Sequence, residues 1–175
     1  MAMNLITTNT FSNASTSNFA SGIDSTYKLY IFKFISIHLD ATGDLLFQGS
    51  TDSGSNYNVT LTSSTFKARN TEADSSFLTY QTYQDQAQGT SYQNLNDQQH
   101  NDADVGSAGT LWLFNPSNST YVKHFYSRNA SHDDNPGIVD FYTSGYFNTT
   151  SAINAISFKP SSSTFDGTIK MYGVG

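Results

Sequence analysis

The chain has 175 residues, a formal net charge of −6 and a charged fraction of only 13%. This length suits one domain with a sizeable core, and the absence of cysteine excludes disulfide frameworks, thiol catalysis and cysteine-ligated zinc. The acidic balance with dispersed Lys and Arg opposes nucleic-acid binding, and no run is apolar enough for membrane insertion.

The first 24 residues are polar with scattered apolar positions. We predict that 1–24 forms an N-terminal arm with one or two short strands, and that 25–175 forms a single domain. The first residues show neither a basic region nor an apolar core of a signal peptide. The absence of cysteine fits assembly in a reducing cytoplasm, and we expect the protein to leave its cell by lysis or assembly instead of secretion.

The domain opens with a strongly apolar segment at 27–38. Its odd positions are mostly aliphatic and its even positions mostly aromatic, which predicts a central strand covered on both faces. Further strands are predicted, in chain order, at 45–51, 57–62, 66–69, 77–83, 110–114, 120–126, 138–142, 145–147, 153–159 and 167–173.

Two polar segments interrupt this series. Residues 84–109 are rich in Gln, Asn, Asp and Gly and are predicted to be the least structured part of the chain. Loops of that length are commonly functional or become ordered in an assembly. A second polar loop is predicted at 128–137.

The composition and strand spacing predict an all-β fold. Aromatic residues and Thr favour strands, Gly, Asn and Ser favour turns, and runs of strong helix formers are missing. The expected architecture is an antiparallel β-sandwich, specifically a jelly roll. The aromatic residues predicted to fill its core are Phe32, Phe34, Phe47, Trp112, Phe114, Phe125 and Phe141.

No catalytic or cofactor motif stands out. The four histidines (His38, His100, His124 and His132) lie in no hydrolase or zinc-protease pattern, so packing or surface roles are expected for them. The segments 97–104 and 132–135 gather Asp, Asn and His, but their spacing is not that of a calcium loop. We therefore predict no catalytic residue, no metal and no cofactor.

Aromatic and amide side chains in loops are typical of surfaces that bind glycans or proteins. For Tyr80, Tyr83 and Tyr92, ligand contact and core packing are equally supported. The residues predicted to contact a ligand or partner are Tyr80, Tyr83, Tyr92, Gln93, His100, Arg128 and His132.

Several phrases resemble a family of small virion proteins of marine and cyanobacterial phages, described as tail-fibre or structural proteins. The resemblance spans nearly the whole chain, is weakest over 70–110, and implies no catalytic residues. The matching phrases are Thr16-Ser-Asn-Phe-Ala-Ser-Gly-Ile-Asp-Ser-Thr-Tyr27, Tyr30-Ile-Phe-Lys-Phe-Ile-Ser-Ile-His38, 47–60, Leu113-Phe-Asn-Pro-Ser-Asn-Ser-Thr-Tyr-Val-Lys-His-Phe125, 145–155 and Gly167-Thr-Ile-Lys-Met-Tyr-Gly173.

The resemblance and the residues together predict a non-enzymatic protein on the surface of a virion. A tail-fibre or receptor-binding module ranks first; a capsid decoration or cement protein ranks second, favoured by the absence of a long shaft. A polysaccharide depolymerase ranks lower because no pair of acidic residues stands out on neighbouring strands. Expected partners are other virion proteins, a host-surface glycan and further copies of the chain in a homo-oligomer, specifically a trimer.

Overall fold

The computed structural model describes residues 2–133 and 136–175, and its regular structure there consists of β-strands. No helix in this part of the chain is long and apolar enough to cross a membrane. The strands are β1 Met3–Ala14, β2 Ser17–Phe19, β3 Leu29–Leu39, β4 Leu45–Ser50, β5 Leu61–Thr71, β6 Ser76–Tyr80, β7 Gln93–Asn94, β8 Ser107–Phe114, β9 Lys123–His132, β10 Gly137–Phe147, β11 Ala155–Pro160 and β12 Phe165–Val174.

The strands form two antiparallel sheets. The large sheet has eight strands in the order β1-β12-β3-β8-β9-β10-β5-β6, and the small sheet has four in the order β2-β11-β4-β7. Without the β5–β6 and β9–β10 hairpins, the orders β1-β12-β3-β8 and β2-β11-β4-β7 remain. This is the strand order of an eight-stranded jelly roll. The predicted sandwich and its jelly-roll topology are therefore confirmed.

The region predicted to be an N-terminal arm takes part in both sheets. β1 pairs with β12 at one edge of the large sheet, and β2 pairs with β11 at one edge of the small sheet. Both strands lie at the edges because nothing pairs with their other side in the described residues. Scattered apolar positions in a polar segment, as in 1–24, are typical of edge strands with one solvent-exposed face.

An aromatic cluster joins the two sheets. The ring of Phe158 in β11 lies with its centroid 5.4 Å from that of Phe32, 5.3 Å from that of Phe34 and 6.5 Å from that of Phe47. Phe125 packs against Phe47 at 4.9 Å with an interplanar angle of 84°. Edge-to-face contacts of this kind are favourable between aromatic rings. The core prediction is confirmed for five of the seven aromatic residues: Phe32, Phe34, Phe47, Phe125 and Phe141.

The central strand β3 is fully covered on one face, whereas on its outer face Ile31 is buried and Ile35 is exposed. Tyr30 and Phe34 point into the core, but Ile35 on the opposite face is 43% exposed. Ser36 then adopts a positive φ of 51°, the pairing with β8 shifts between Phe34 and Ile37, and Ile37 turns inward. This bulge inverts the alternation of the strand. The expectation that both faces are covered is therefore wrong.

The two inserted hairpins widen the large sheet beyond the small one. The segment 84–106 lies over the inner face that would otherwise be bare: Thr143 donates to the carbonyl oxygen of Asn94 (3.1 Å), and Asn129 donates to that of Leu95 (2.7 Å). Leu95 is fully buried. As predicted, the segment has little regular structure, since β7 is the one strand within 84–106. Polar side chains of the sheet nevertheless bind its backbone and hold it against the inner face.

Charged side chains are paired beneath this segment. Lys67 of β5 forms an ion pair with Asp97, and Arg69 pairs with Asp133 at 2.7 Å between Nε and Oδ2. Burial raises the pKa of the nearby Asp44 carboxyl, and the negative charge of Asp97 adds to that effect. The inner face is thus apolar beneath the small sheet and polar beneath the 84–106 segment.

Several strand boundaries differ from those predicted. The segment 57–60 is not a strand, and β5 begins at Leu61. The two short strands predicted at 138–142 and 145–147 are one strand, β10. Most of the loop predicted at 128–137 belongs to β9 and β10, while Asp134 and Asn135 lie outside the described residues. Alternating polar residues in β9 face the covered polar layer and the solvent, so hydrophobicity alone does not reveal the strand.

The turn after β4 is organised by Asp52. Its Oδ1 accepts hydrogen bonds from the Ser50 hydroxyl (2.6 Å) and the Asn56 backbone (2.9 Å). These bonds, the Ser50 one above all, lower the pKa of Asp52 from 3.8 to about 2. We expect carboxyl NMR to show this residue titrating near pH 2.

The sign of its effect on stability follows from the lowered pKa. The contribution of Asp52 is fully present above its unfolded value of 3.8 and is lost as the pH falls towards about 2. Asp52→Asn should remove this part of the pH dependence. A titration of Asp52 near 3.8 would show that the turn does not hold the carboxylate.

Candidate functional site

The outer face of the large sheet carries a row of side chains that crosses all eight strands. Direct cross-strand pairing connects each member to the next. We call this set the central row. Its members, from β6 to β1, are Tyr80, Phe66, Tyr142, Arg128, Thr110, Lys33, Lys170 and Thr8.

The aromatic half of the central row is a stack. The Phe66 and Tyr142 rings are nearly parallel (5°), with centroids 4.6 Å apart. The Arg128 guanidinium lies 5.3 Å from the Tyr142 centroid. Phe66 is 41% exposed, so the stack is accessible to solvent on this face.

Arg128 is held by Asp140 of the neighbouring strand. Its Nε and Nη2 donate to the two carboxylate oxygens, at 3.0 Å to Oδ1 and 2.6 Å to Oδ2, and the Tyr142 hydroxyl donates to Oδ2 at 2.9 Å. The Arg128 hydrogen bond lowers the pKa of Asp140, and the Asp140 hydrogen bond raises the pKa of Arg128 and of Tyr142. This pair fixes the guanidinium plane over the ring.

A second row runs parallel to the first across seven of the strands. It is offset from the first by two residues on each strand except β1, where a bulge makes the offset three residues. We call it the aromatic row. Trp112 and Tyr126 stack within it at 4.5 Å and 8°. Its members, from β5 to β1, are Ser64, Ser144, Tyr126, Trp112, Ile31, Tyr172 and Leu5.

Trp112 and Phe114 correct the core prediction. Both lie on the outer face, and Phe114 is 41% exposed. In the sequence, leucines alternate with aromatic residues here, and alternate residues of a strand lie on opposite faces. Leu111 and Leu113 are the fully buried pair. Because residues 111–114 are all apolar, their hydrophobicity does not show which of them face inward.

Small side chains make a trough on the other side of the central row. Ala108 and Ala130 lie opposite each other there, and the groove above them has a volume of about 410 Å³. Arg128, Ile138 and Asp140 form part of its lining. The outer face therefore offers a charged and aromatic ridge beside a shallow groove.

Three of the predicted contact residues lie on or beside this face. Tyr80 and Arg128 are members of the central row. His132 ends β9 on the same side, and its Nδ1 lies 2.9 Å from the carbonyl oxygen of Asp133. Tyr83 is 98% exposed in the turn after β6.

The other predicted contacts are placed differently. Gln93 is fully buried and donates to the carbonyl oxygen of Gln84 at 2.7 Å, so its assignment to a ligand contact is wrong. Tyr92 is half-buried, with the Lys159 ammonium 4.3 Å from its ring centroid. His100 is half-buried and its Nδ1 lies 3.2 Å from Asp102.

Most of the central row was not predicted from the sequence, because ligand contacts were expected in loops. Phe66, Tyr142, Lys33 and Lys170 all lie within strands. In residues 2–133 and 136–175, no group of three or more His, Cys, Asp or Glu side chains is placed to hold a metal ion. The segment 132–135 is only partly described, since Asp134 and Asn135 lie outside that range.

Comparison with protein-family models, with curated proteins and with solved structures found no significant match to this chain. The functional interpretation of the outer face therefore depends on its own contacts and charges.

Proposed function

We propose that this chain is a non-enzymatic structural module of a bacteriophage particle, and that it acts in host adhesion through the outer face of its large sheet. The virion part of the proposal depends on the sequence resemblance, and the central row carries the adhesion part. This row places aromatic rings, cations and hydroxyl groups in register on a face that nothing covers in the described residues. Tyr, Trp and Arg are the side chains enriched at binding hot spots.

The rigidity of the face supports a binding role. Its side chains project from paired strands, and stacking and ion pairing hold them: Phe66 on Tyr142, Arg128 on Asp140, Trp112 on Tyr126. A preorganised surface loses little conformational entropy on binding. Jelly rolls also occur in viral capsid and lectin domains, which is support by fold analogy only.

On the outer face, the state of Asp140 opposes a role for this carboxylate as a general acid. A general acid in glycoside hydrolysis needs a raised pKa. Arg128 lowers the pKa of Asp140 and occupies both of its oxygens. This carboxylate is therefore arranged to position an arginine, not to transfer a proton.

Capsid decoration is the second candidate, and the β1 edge favours it. β1 is twelve residues long, and its outward side chains Met3 and Leu5 are 51% and 55% exposed. An unpaired edge of this length can add a strand from a neighbouring protein or another copy of the chain. A trimer would cover such edges by symmetry.

Locating the chain on purified particles tests the proposal. We expect gold-labelled antibody in electron micrographs to mark the tail, and the purified protein to bind host cells. Copies in icosahedral number on the shell would replace adhesion by decoration, and particles without the chain would overturn the virion assignment. Polysaccharide cleavage that a single carboxylate substitution abolishes would overturn the non-enzymatic part.

A further inference from the structure

We infer that the central row contains a binding site for an acidic polysaccharide, centred on Lys33 and Lys170. This inference rests on the proposed adhesion function and names the ligand class of the same face. It starts from two lysines that lie directly opposite each other on β3 and β12.

Lys33 and Lys170 place two like charges opposite each other on adjacent strands. Like charges opposite each other on adjacent strands are destabilising. Lys33 donates to the Thr110 hydroxyl at 3.0 Å, and its ammonium lies 5.8 Å from the Trp112 ring centroid. In the part of the chain that the structure describes, the ion pairs involve neither lysine. A bound anion would relieve the repulsion.

Arg128 extends the positive stripe along the same row. It is separated from Lys33 by Thr110 on the strand between them. With adjacent strands about 4.8 Å apart, the stripe from Arg128 to Lys170 spans about 14 Å. Two lysines that take part in none of the described ion pairs lie in register with Arg128, which Asp140 already pairs. This extended arrangement fits a linear ligand with repeating negative groups better than a single small anion.

The acidic balance of the whole chain makes this stripe distinctive. The net charge is −6, yet the central row contains three cations and no carboxylate, and the adjacent Asp140 is bound to Arg128. Attraction between exposed charges extends over about 8 Å at physiological salt. The stripe therefore attracts an anion locally, whereas the rest of the molecule repels a polyanion that lacks a close fit.

The neighbouring aromatic row favours a sugar polymer as the occupant. Along a strand, residues two apart are separated by about 7 Å, so a ridge of Tyr126, Trp112 and Tyr172 runs parallel to the stripe. Aromatic side chains with an apolar body and a polar tip can contact sugar C–H groups while their hydroxyls bond sugar hydroxyls. A uronate or sulfate group would then reach the lysines.

Binding of the purified full chain to polygalacturonate, with dextran as the neutral control, tests the site. We expect titration calorimetry at low salt to show binding to polygalacturonate only, with affinity falling as salt rises. Lys33→Gln combined with Lys170→Gln should weaken binding by about tenfold or more. Lys159→Gln provides the control cation, since Lys159 lies on β11 of the small sheet beside Tyr92.

The outcomes separate the alternatives. Equal losses of affinity for polygalacturonate in Lys33→Gln and Lys159→Gln would overturn the site. Equal affinity for dextran and polygalacturonate would also overturn it. Equal affinity for polyglutamate would overturn the sugar class and indicate an acidic protein partner. Thermal unfolding verifies that the variants fold. Particle location tests the proposed function separately, so tail location without polysaccharide binding would overturn this inference alone.

Discussion

Replacing Asp97 by alanine is expected to lower the free energy of unfolding by about 3–5 kcal/mol, because breaking a buried ion pair leaves one charge unpaired. Asp97 is 7% exposed, pairs with Lys67 and accepts a hydrogen bond from Gln84 at 2.7 Å. Its removal leaves the Lys67 ammonium under the 84–106 segment without its carboxylate. Urea unfolding followed by circular dichroism would measure the loss.

A matched control lies on the same segment. Asp102 is 69% exposed beside His100, so Asp102→Ala should change the stability by about 0.5 kcal/mol or less. The double variant Lys67→Met with Asp97→Leu should recover much of the loss, since apolar residues of similar size can replace a buried pair. A loss of under about 1 kcal/mol for Asp97→Ala would contradict the view that this pair anchors the segment.

Phe158→Ala is expected to cost about 3–5 kcal/mol, the range for removing a buried phenylalanine ring. Phe158 is fully buried in β11, and its ring contacts come from both sheets, including Phe32 in β3 and Phe47 in β4. The cavity would therefore open at the junction of the sandwich. For a chain of this size the corresponding fall in Tm is roughly 10 °C by calorimetry.

Tyr121→Ala is the control for that substitution. Tyr121 is 70% exposed and precedes β9, so its truncation should change the free energy of unfolding by about 0.5 kcal/mol or less. Similar effects of the two variants would mean that the aromatic cluster does not dominate the core. A large loss for Phe158→Ala alone would support the packing described.

The strand predictions are most accurate where large apolar residues mark one face along the whole strand. β3, β4, β11 and β12 lie within one to three residues of their predicted bounds, because each strand has a buried face of large apolar residues. β9 was predicted short because Ser127, Asn129 and Ser131 face inward against the polar 84–106 segment. Their inward face carries no apolar signal.

The candidate site was predicted only in part. Tyr80 and Arg128 were identified, but Gln93 was assigned to a surface when it is buried. Lys33 and Lys170 are 137 positions apart in the sequence, and only the antiparallel pairing of β3 with β12 places them opposite each other. A single sequence contains no signal for such a juxtaposition, since register depends on bulges and strand order.

The sequence by itself determined that this chain forms an antiparallel β-sandwich, because aromatic and β-branched strands separated by turn residues permit few other architectures. Only the tertiary structure decided which face stays uncovered. The small sheet covers half of the large one, and the 84–106 segment covers the rest of the same inner side. No segment within residues 2–133 and 136–175 lies over the opposite face, and cross-strand register aligns its aromatic rings and cations in the row proposed to bind the ligand.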